Sequence, residues 1–186
     1  ASLVKIGLYA SMFGKDDPPT LQSIESYIEH AYDLRLDLID FRSDRGFSSS
    51  EPNYLIRTKL SCIEKGLAIG YLASGGHFVG TDDELRDKVS RAKTDMDIAL
   101  ILGAPMLRLF CGQPLEDPEE QKRESQCFQE VCDYGMQVGI AVGLQNHPST
   151  GEEMNKIRTL TDRPNFGYVM DTGQWVGSRG GYEKET

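Results

Sequence analysis

The sequence predicts an α/β fold, a TIM-type (β/α)8 barrel truncated after its sixth strand. Three observations carry that prediction. Short runs rich in Val, Ile, Leu, Phe and Tyr recur six times, starting at Val4, Leu36, Leu67, Met106, Ile140 and Phe166. Near-continuous apolar runs of this kind mark strands buried on both faces, as in a parallel sheet. Amphipathic stretches with helix punctuation lie between them, giving a repeat of roughly 30 residues, the length of one strand–helix unit. After every run comes a polar or glycine-containing cluster, and a barrel gathers its ligand groups there, around the C-terminal rim of its strands.

The first run, residues 4–10 (VKIGLYA), leads to Ser11 and then to a helix with Leu21, Ile24, Ile28 and Ala31 on one stripe. The second, residues 36–41, leads to Arg42 and Asp44. The third, residues 67–73, leads to residues 74–77, after which Thr81 and Glu84 form a capping box. Leu85, Val89, Ala92, Met96 and Ala99 continue that segment as one apolar stripe. The fourth run, residues 106–111, leads to Gly112 and Gln113, and Asp117 caps the next helix with Pro118 at its first position. The fifth, residues 140–145, leads to Asn146 and His147, and Thr150 with Glu153 repeats the capping box. The sixth, residues 166–171, runs into Thr172, Gly173 and Gln174. Gly66, Gly103 and Gly139 each precede a strand, where a helix stops in the left-handed conformation.

No linker or low-complexity stretch interrupts the rhythm, so residues 1–186 read as a single, incomplete barrel domain. A full barrel of eight units takes roughly 250 residues. An open doubly wound sheet is the competing architecture, since it needs only five or six strands. It concentrates its ligand groups at one switch point, however, whereas here they follow every strand, and no GxGxxG follows the first. An unclosed barrel presents unpaired edges on its first and sixth strands, and self-association through those edges is the expectation.

Composition narrows the function classes. Of 186 residues, 39% are hydrophobic and 26% charged, an ordinary soluble balance, and 20 Lys+Arg against 29 Asp+Glu give a formal net charge of −9. That charge disfavours phosphate backbones and anionic membrane surfaces, and no apolar run approaches membrane-spanning length. The opening ASLVKIGLYASMFGKDD has neither the basic start nor the long apolar core of a signal peptide, so a cytoplasmic address is the default expectation. Cys62, Cys111, Cys127 and Cys132 show no CxxC spacing and read as free thiols.

Two strand ends carry chemistry beyond architecture. The fifth ends in Gln145-Asn146-His147, and the sixth delivers Asp171 directly into Thr172-Gly173-Gln174-Trp175. A carboxylate leaving a hydrophobic strand needs a metal, a cation or several donors, and capping by local amides is its structural alternative. For His147 the two readings are acid–base work and a hydrogen bond to a loop carbonyl. Asp40 and Arg108 interrupt apolar strands; they read either as a mutually satisfied ion pair or as a fork for a sugar carboxylate or phosphate. Met12, Phe13, Phe78 and Trp175 are candidate apolar faces for a sugar ring, with plain packing as the alternative. His77 stands in the cluster after the third strand.

The segments GLQNHPST and NFGYVMDTGQW, with DLIDFRSDRGF, IGYLASGGHFVGTDDELR and LGAPMLRLFCG, resemble the xylose isomerase-like barrel superfamily. Within it they resemble the sugar phosphate isomerase/epimerase group, in a branch with Q-N-H in place of the usual E-N-H. The likeness extends over essentially the whole chain. It implies an isomerase or epimerase acting on a small carbohydrate by proton transfer, with a divalent metal such as Mn2+, Mg2+ or Zn2+ held by residues after strands five to eight. Carried over residue by residue, the metal positions are Gln145 and Asp171, and the catalytic ones Gln145, His147 and Asp171. The substrate-binding ones are Asp40, His77, Arg108, Asn146, Gln174 and Trp175. Gln145 stands where the group has a Glu and Gln174 where it commonly has a His, so the standard two-Glu proton transfer does not carry over. A carbohydrate-binding barrel without catalysis is therefore the alternative. Abasic-site endonucleases share the barrel, but their His-rich metal clusters and basic surfaces do not match three histidines and an acidic chain.

Overall fold

A computed structural model of the chain describes residues 4–9 and 23–177. Ser11, Met12, Phe13 and Leu21 lie outside the described residues, as does everything from residue 178 onward. Among the described residues six strands alternate with five helices: β1 (Gly7–Tyr9), α1 (Ile24–Asp33), β2 (Leu38–Arg42), α2 (Pro52–Glu64), β3 (Ala68–Gly76), α3 (Asp82–Leu102), β4 (Met106–Cys111), α4 (Pro118–Val138), β5 (Ala141–Asn146), α5 (Gly151–Thr161) and β6 (Phe166–Val169). The strands form one sheet in chain order, β1-β2-β3-β4-β5-β6, with β1/β2, β2/β3 and β5/β6 parallel. Sequential order with a helix after each strand is the TIM-barrel arrangement; a doubly wound sheet reverses its order at a switch point.

The helix punctuation behaves as expected except at Thr150, where the Glu153 carboxylate turns to Leu115 and Lys156 and the box is only half closed. Thr81 N–H donates to Glu84 Oε2 (2.7 Å) and Glu84 N–H to Thr81 Oγ1 (3.4 Å), closing the capping box. Asp117 Oδ1 accepts from Glu119 N–H (2.9 Å) and Thr150 Oγ1 from Glu153 N–H (3.2 Å). Gly66, Gly103 and Gly139 all have positive φ, at 70°, 86° and 80°. All four cysteines are free and buried. No described helix is long and apolar enough to cross a membrane.

The chain divides into two compact units, the first Ala1–Ser74 with Asp95–Leu107, the second Gly75–Thr94 with Arg108–Thr186. In the first, alternation along β2 sends Ile39 and Phe41 into the core, where the Phe41 ring meets the Tyr27 ring of α1 edge-on at 5.9 Å. Leu38, Asp40 and Arg42 take the opposite face. The Tyr27 hydroxyl lies 2.5 Å from the Leu8 carbonyl oxygen and 2.8 Å from that of Asp40, fastening α1 to both strands. Asp95 of α3 accepts hydroxyl bonds from Ser43 (2.9 Å) and Ser74 (2.5 Å), which joins the ends of β2 and β3 to that helix.

In the second unit α4 supplies Phe128, whose ring sits 4.9 Å from Phe78 and 5.2 Å from Phe166. Phe78 is thus core, and the packing alternative is the right one for it. Every strand but β4 differs from its sequence-based limits, and two of the differences bear on the site. β3 runs on to Gly76, and β6 ends at Val169, which leaves Asp171 in the following turn. Burial on both faces does not extend to β6, where Gly167 and Tyr168 are exposed, because β6 stands last in the strand order.

One buried group in this unit is out of place energetically. Glu124 of α4 is 2% exposed, its Oε2 has no hydrogen-bond partner among the described residues, and burial followed by the charge of Glu153 pushes its pKa up to about 8. Glu153 is buried as well, but it stands in the first turn of α5, its carboxylate accepts from Leu115 N–H (3.3 Å) and it pairs with Lys156 (3.3 Å). The folded chain therefore keeps a proton on Glu124 that the unfolded chain loses above its ordinary carboxylate range. Stability falls as pH rises from that range to about 8 and levels off beyond it. Glu124→Gln removes the penalty. Thermal melts should show the variant little changed at pH 5 and more stable at pH 8 by about 1–2 kcal/mol, roughly 3–6 °C.

Candidate active site

Of the catalytic, metal and substrate-binding residues carried over from the sequence, all but Asp40 lie in the second unit. Alternation decides which of them share a face. On β5, Val142, Leu144 and Asn146 point toward the helices and are at most 1% exposed, so Gly143, Gln145 and the following His147 point the other way. On β4, Leu107, Leu109 and Cys111 fill the core, leaving Arg108 and Phe110 on that second face. On β6 the register sets Gln145 beside Val169, which places Asp171, two residues on, beside His147.

Asp171 is held from three directions. Asn146 Nδ2 donates to its carbonyl oxygen (2.7 Å) while its own N–H donates to Asn146 Oδ1 (2.8 Å). The fully buried amide of Asn146 thereby continues the ladder one step past the end of β6. The Asp171 carboxylate accepts from Gln145 Nε2 at Oδ2 (2.8 Å) and from Gly173 N–H at Oδ1 (2.9 Å). The second of these is the local turn predicted as the structural alternative; the first is a contact between strands. Gln174 N–H donates to the Asp171 carbonyl (3.2 Å) and closes the turn, and its buried Oε1 has no hydrogen-bond partner among the described residues. Trp175 bridges to Ser149 in parallel fashion, with Val176 N–H donating to the Ser149 carbonyl (3.0 Å), so the loops after β5 and β6 are joined.

His147 packs its ring against Phe110, with centroids 5.5 Å apart. Arg108, 5% exposed, shares that face. The Cys111 thiol is driven up in pKa chiefly by burial and donates to the Gln145 carbonyl oxygen (3.3 Å), so it supports the strand. His77 sits at the end of β3, with its ring against Gly112. In the first unit, Asp40 lies on the face away from α1, its Oδ1 accepting from Tyr71 N–H (3.1 Å), with Tyr9 its register neighbour and the Tyr9 and Tyr71 rings 6.0 Å apart. Sequence reading passed over Tyr9, Tyr71 and Phe110. Their signal was available: an aromatic at the alternate position from a charged residue in the same or adjoining strand.

The donor set does not make a metal site by itself. Among the described residues no group of three or more His, Cys, Asp or Glu side chains is arranged to hold an ion. Gln145 turns its NH2 toward the Asp171 carboxylate, the arrangement of a hydrogen-bonded pair and not of two oxygens converging on a cation. What the arrangement can do is present a fixed carboxylate, an imidazole, a guanidinium and amide acceptors to a polyhydroxylated ligand.

Comparison with known proteins agrees with this fold. A search of curated proteins finds no match. Among solved structures, a probable 3-DHS dehydratase from Bacillus anthracis superposes with a TM-score of 0.76 at 17% identity, over 94% of this chain and 65% of its own. An L-ribulose 3-epimerase gives 0.73 at 15%, over 92% and 62%. A D-allulose 3-epimerase from Methylomonas sp., solved with D-allulose, gives 0.70 at 21%, over 92% and 63%. The chain thus spans somewhat under two thirds of the length of these neighbours, and at such identities the likeness establishes the fold. A family profile described as xylose isomerase-like TIM barrel matches residues 28–185, and the chain belongs to that family.

Proposed function

We propose that the chain is part of a sugar isomerase or epimerase that moves a proton beside the carbonyl of a small carbohydrate. The observation that carries this reading is the Asp171 clamp. The buried amide of Asn146 holds the Asp171 backbone while Gln145 Nε2 and Gly173 N–H hold its carboxylate, on the face that also bears His147 and Arg108. Sugar epimerases among the structural neighbours support it. In this reading Asp171 and the idle Oε1 of Gln174 accept hydroxyl hydrogens of the sugar, and Trp175 offers an apolar edge. Arg108 forks onto an anionic or carbonyl oxygen, where charge develops as the enediolate forms. The imidazole of His147 takes the proton from the carbon beside the carbonyl and returns it. Asn146 is a positioning residue, since both ends of its amide are spent on Asp171. Gln145 orients Asp171 and a substrate hydroxyl and cannot act as a base.

A second reading, a carbohydrate-binding barrel without catalysis, is favoured by the neutral amides at 145 and 174. The two separate in D2O: an isomerase or epimerase exchanges a carbon-bound proton of its sugar, and a binder does not.

Four outcomes test these proposals. Thermal-shift screening of ketoses, aldoses and sugar acids should find a ligand whose affinity Asp171→Asn and Arg108→Met each weaken about ten- to a hundredfold, as expected for a lost hydrogen bond to a charged group. Unchanged affinity in both folded variants would remove the shared site. Gln145→Glu sets two carboxylates at hydrogen-bond distance, so the variant should melt lower than the unaltered chain in chelator and recover with Mn2+. Calorimetry should show weak Mn2+ and Mg2+ binding by the unaltered chain; tight binding would mean that the ligand set is a different one. Last, we propose self-association through sheet edges, supported by the exposed Tyr168 and Met170 on and after the terminal β6. Sedimentation velocity should show dimers or larger species at micromolar concentration, and a lone monomer would refute it.

A further inference from the structure

The outer face of α2 has no part in the site described above, and it is apolar where a surface helix is ordinarily polar. Ile56, Leu60 and Ile63 are 43%, 49% and 60% exposed. Spaced four and three residues apart, they form one stripe on the side of the helix away from the buried Leu55, Thr58 and Cys62. Single exposed apolar side chains are ordinary on a protein surface, but three in one stripe form a patch. On the neighbouring helix Leu100 is exposed as well, one turn before Gly103, against which the Lys59 stem of α2 packs.

The helices that flank α2 are already in place. Tyr54, Thr58 and Ser61 border a groove whose other wall is α1, and Lys59 reaches the end of α3. Further strand–helix units of such a barrel join at the edges of the sheet, beside β1 or β6, and not over α2. What covers the stripe therefore comes from outside the barrel, and the charges beside the stripe identify it. Arg57 and Glu64, seven residues apart, are exposed along the same side of the stripe and make no ion pair among the described residues. Stripe and charges together are complementary to their own reverse. With two α2 helices antiparallel about a two-fold axis at Leu60, Leu60 meets Leu60 of the second copy. Ile56 then meets Ile63, and Arg57 meets Glu64, each pair occurring twice.

We infer that the outer face of α2 is an interface between two copies of this chain, joined antiparallel about a two-fold axis at Leu60. It is separate from the sheet-edge contact proposed above, and it does not depend on the isomerase or epimerase reading. The charged pairs lie at the rim, so they set the direction and register of the two helices more than they add affinity. A patch one helix wide belongs at the small end of protein interfaces, so the dissociation constant is expected at about 1–100 µM.

The test is sedimentation velocity of the full chain at low salt, up to about 200 µM, above that expected constant. Arg57→Glu and Glu64→Arg each set like charges across the axis and should weaken association about tenfold. The double variant Arg57→Glu/Glu64→Arg restores opposite charges and should return to within about threefold of the unaltered chain. Equal association of all four proteins would overturn the inference and leave the sheet edges as the contact. A double variant no stronger than the single ones would overturn it as well. Cross-linking gives an independent measurement. All four native cysteines are buried, so Leu60→Cys carries one exposed thiol, and a residue on a two-fold axis meets its own copy. Under mild oxidation this variant should form a disulfide-linked dimer at least about tenfold faster than Glu119→Cys, an exposed position on α4. Similar rates for the two would refute pairing through α2. A chain that stays monomeric at about 200 µM would refute it too, and would leave the stripe to a protein of another kind.

Discussion

The register of β5 against β6 constrains everything at the candidate site. Gln145 pairs with Val169 and Leu144 with Tyr168, and because successive side chains alternate, a slip by one residue would turn every site group into the core. With the observed register, Phe166 and Val142 meet α4 and α5 on one face while Gln145, His147 and Asp171 converge on the other. The aromatic contact of Phe128 with Phe78 and Phe166 secures that choice, since exposing such rings would forfeit about 1.5–3 kcal/mol each. Packing behind the sheet thus decides which polar groups meet in front of it.

Beyond the last residue of a strand, pairing normally ends and direction is lost. Here the Asn146 amide acts as a surrogate strand and binds both backbone groups of Asp171. An amide suits the task because it is donor and acceptor together and carries no charge, so complete burial costs little once both of its ends are bonded. A carboxylate at 146 would meet the Asp171 carbonyl without a proton to offer. Next to it, Gln145 offers the donor that a carboxylate at 171 needs. The pair is a hydrogen-bonded amide and carboxylate, which separates it chemically from an arrangement of converging acids.

Glycine does comparable work on the other side of Phe110. Gly76 and Gly112 let the end of β3 ride directly on β4, and the His77 ring takes the room that a side chain at 112 would occupy. Lys88 Nζ donates to the carbonyl oxygen of His77 (3.1 Å) and braces that residue at a φ of 54°, in the left-handed region that a residue with a side chain seldom adopts.

The order of strands and helices was legible in the sequence because it is written in local terms: apolar runs of strand length, capping boxes at Thr81 and Thr150, and left-handed stops at Gly66, Gly103 and Gly139. The grouping of Gln145, His147 and Asp171 at neighbouring strand ends was legible too, since a parallel repeat sends all strand ends to one rim. What each group does there was decided by tertiary structure. Asn146 looks like a ligand contact in the sequence and is a backbone clamp, because burial and orientation follow from the β5/β6 register. Phe78 looks available and is core, and Phe110 looks like core and borders the site, because alternation sorts a strand's residues only once its neighbours are in place. Glu124 reads as one more charge on a polar helix, and only the packing of α4 against α5 shows that it keeps its proton. Local chemistry determines which elements form; the faces they turn to one another depend on contacts between residues far apart in the chain.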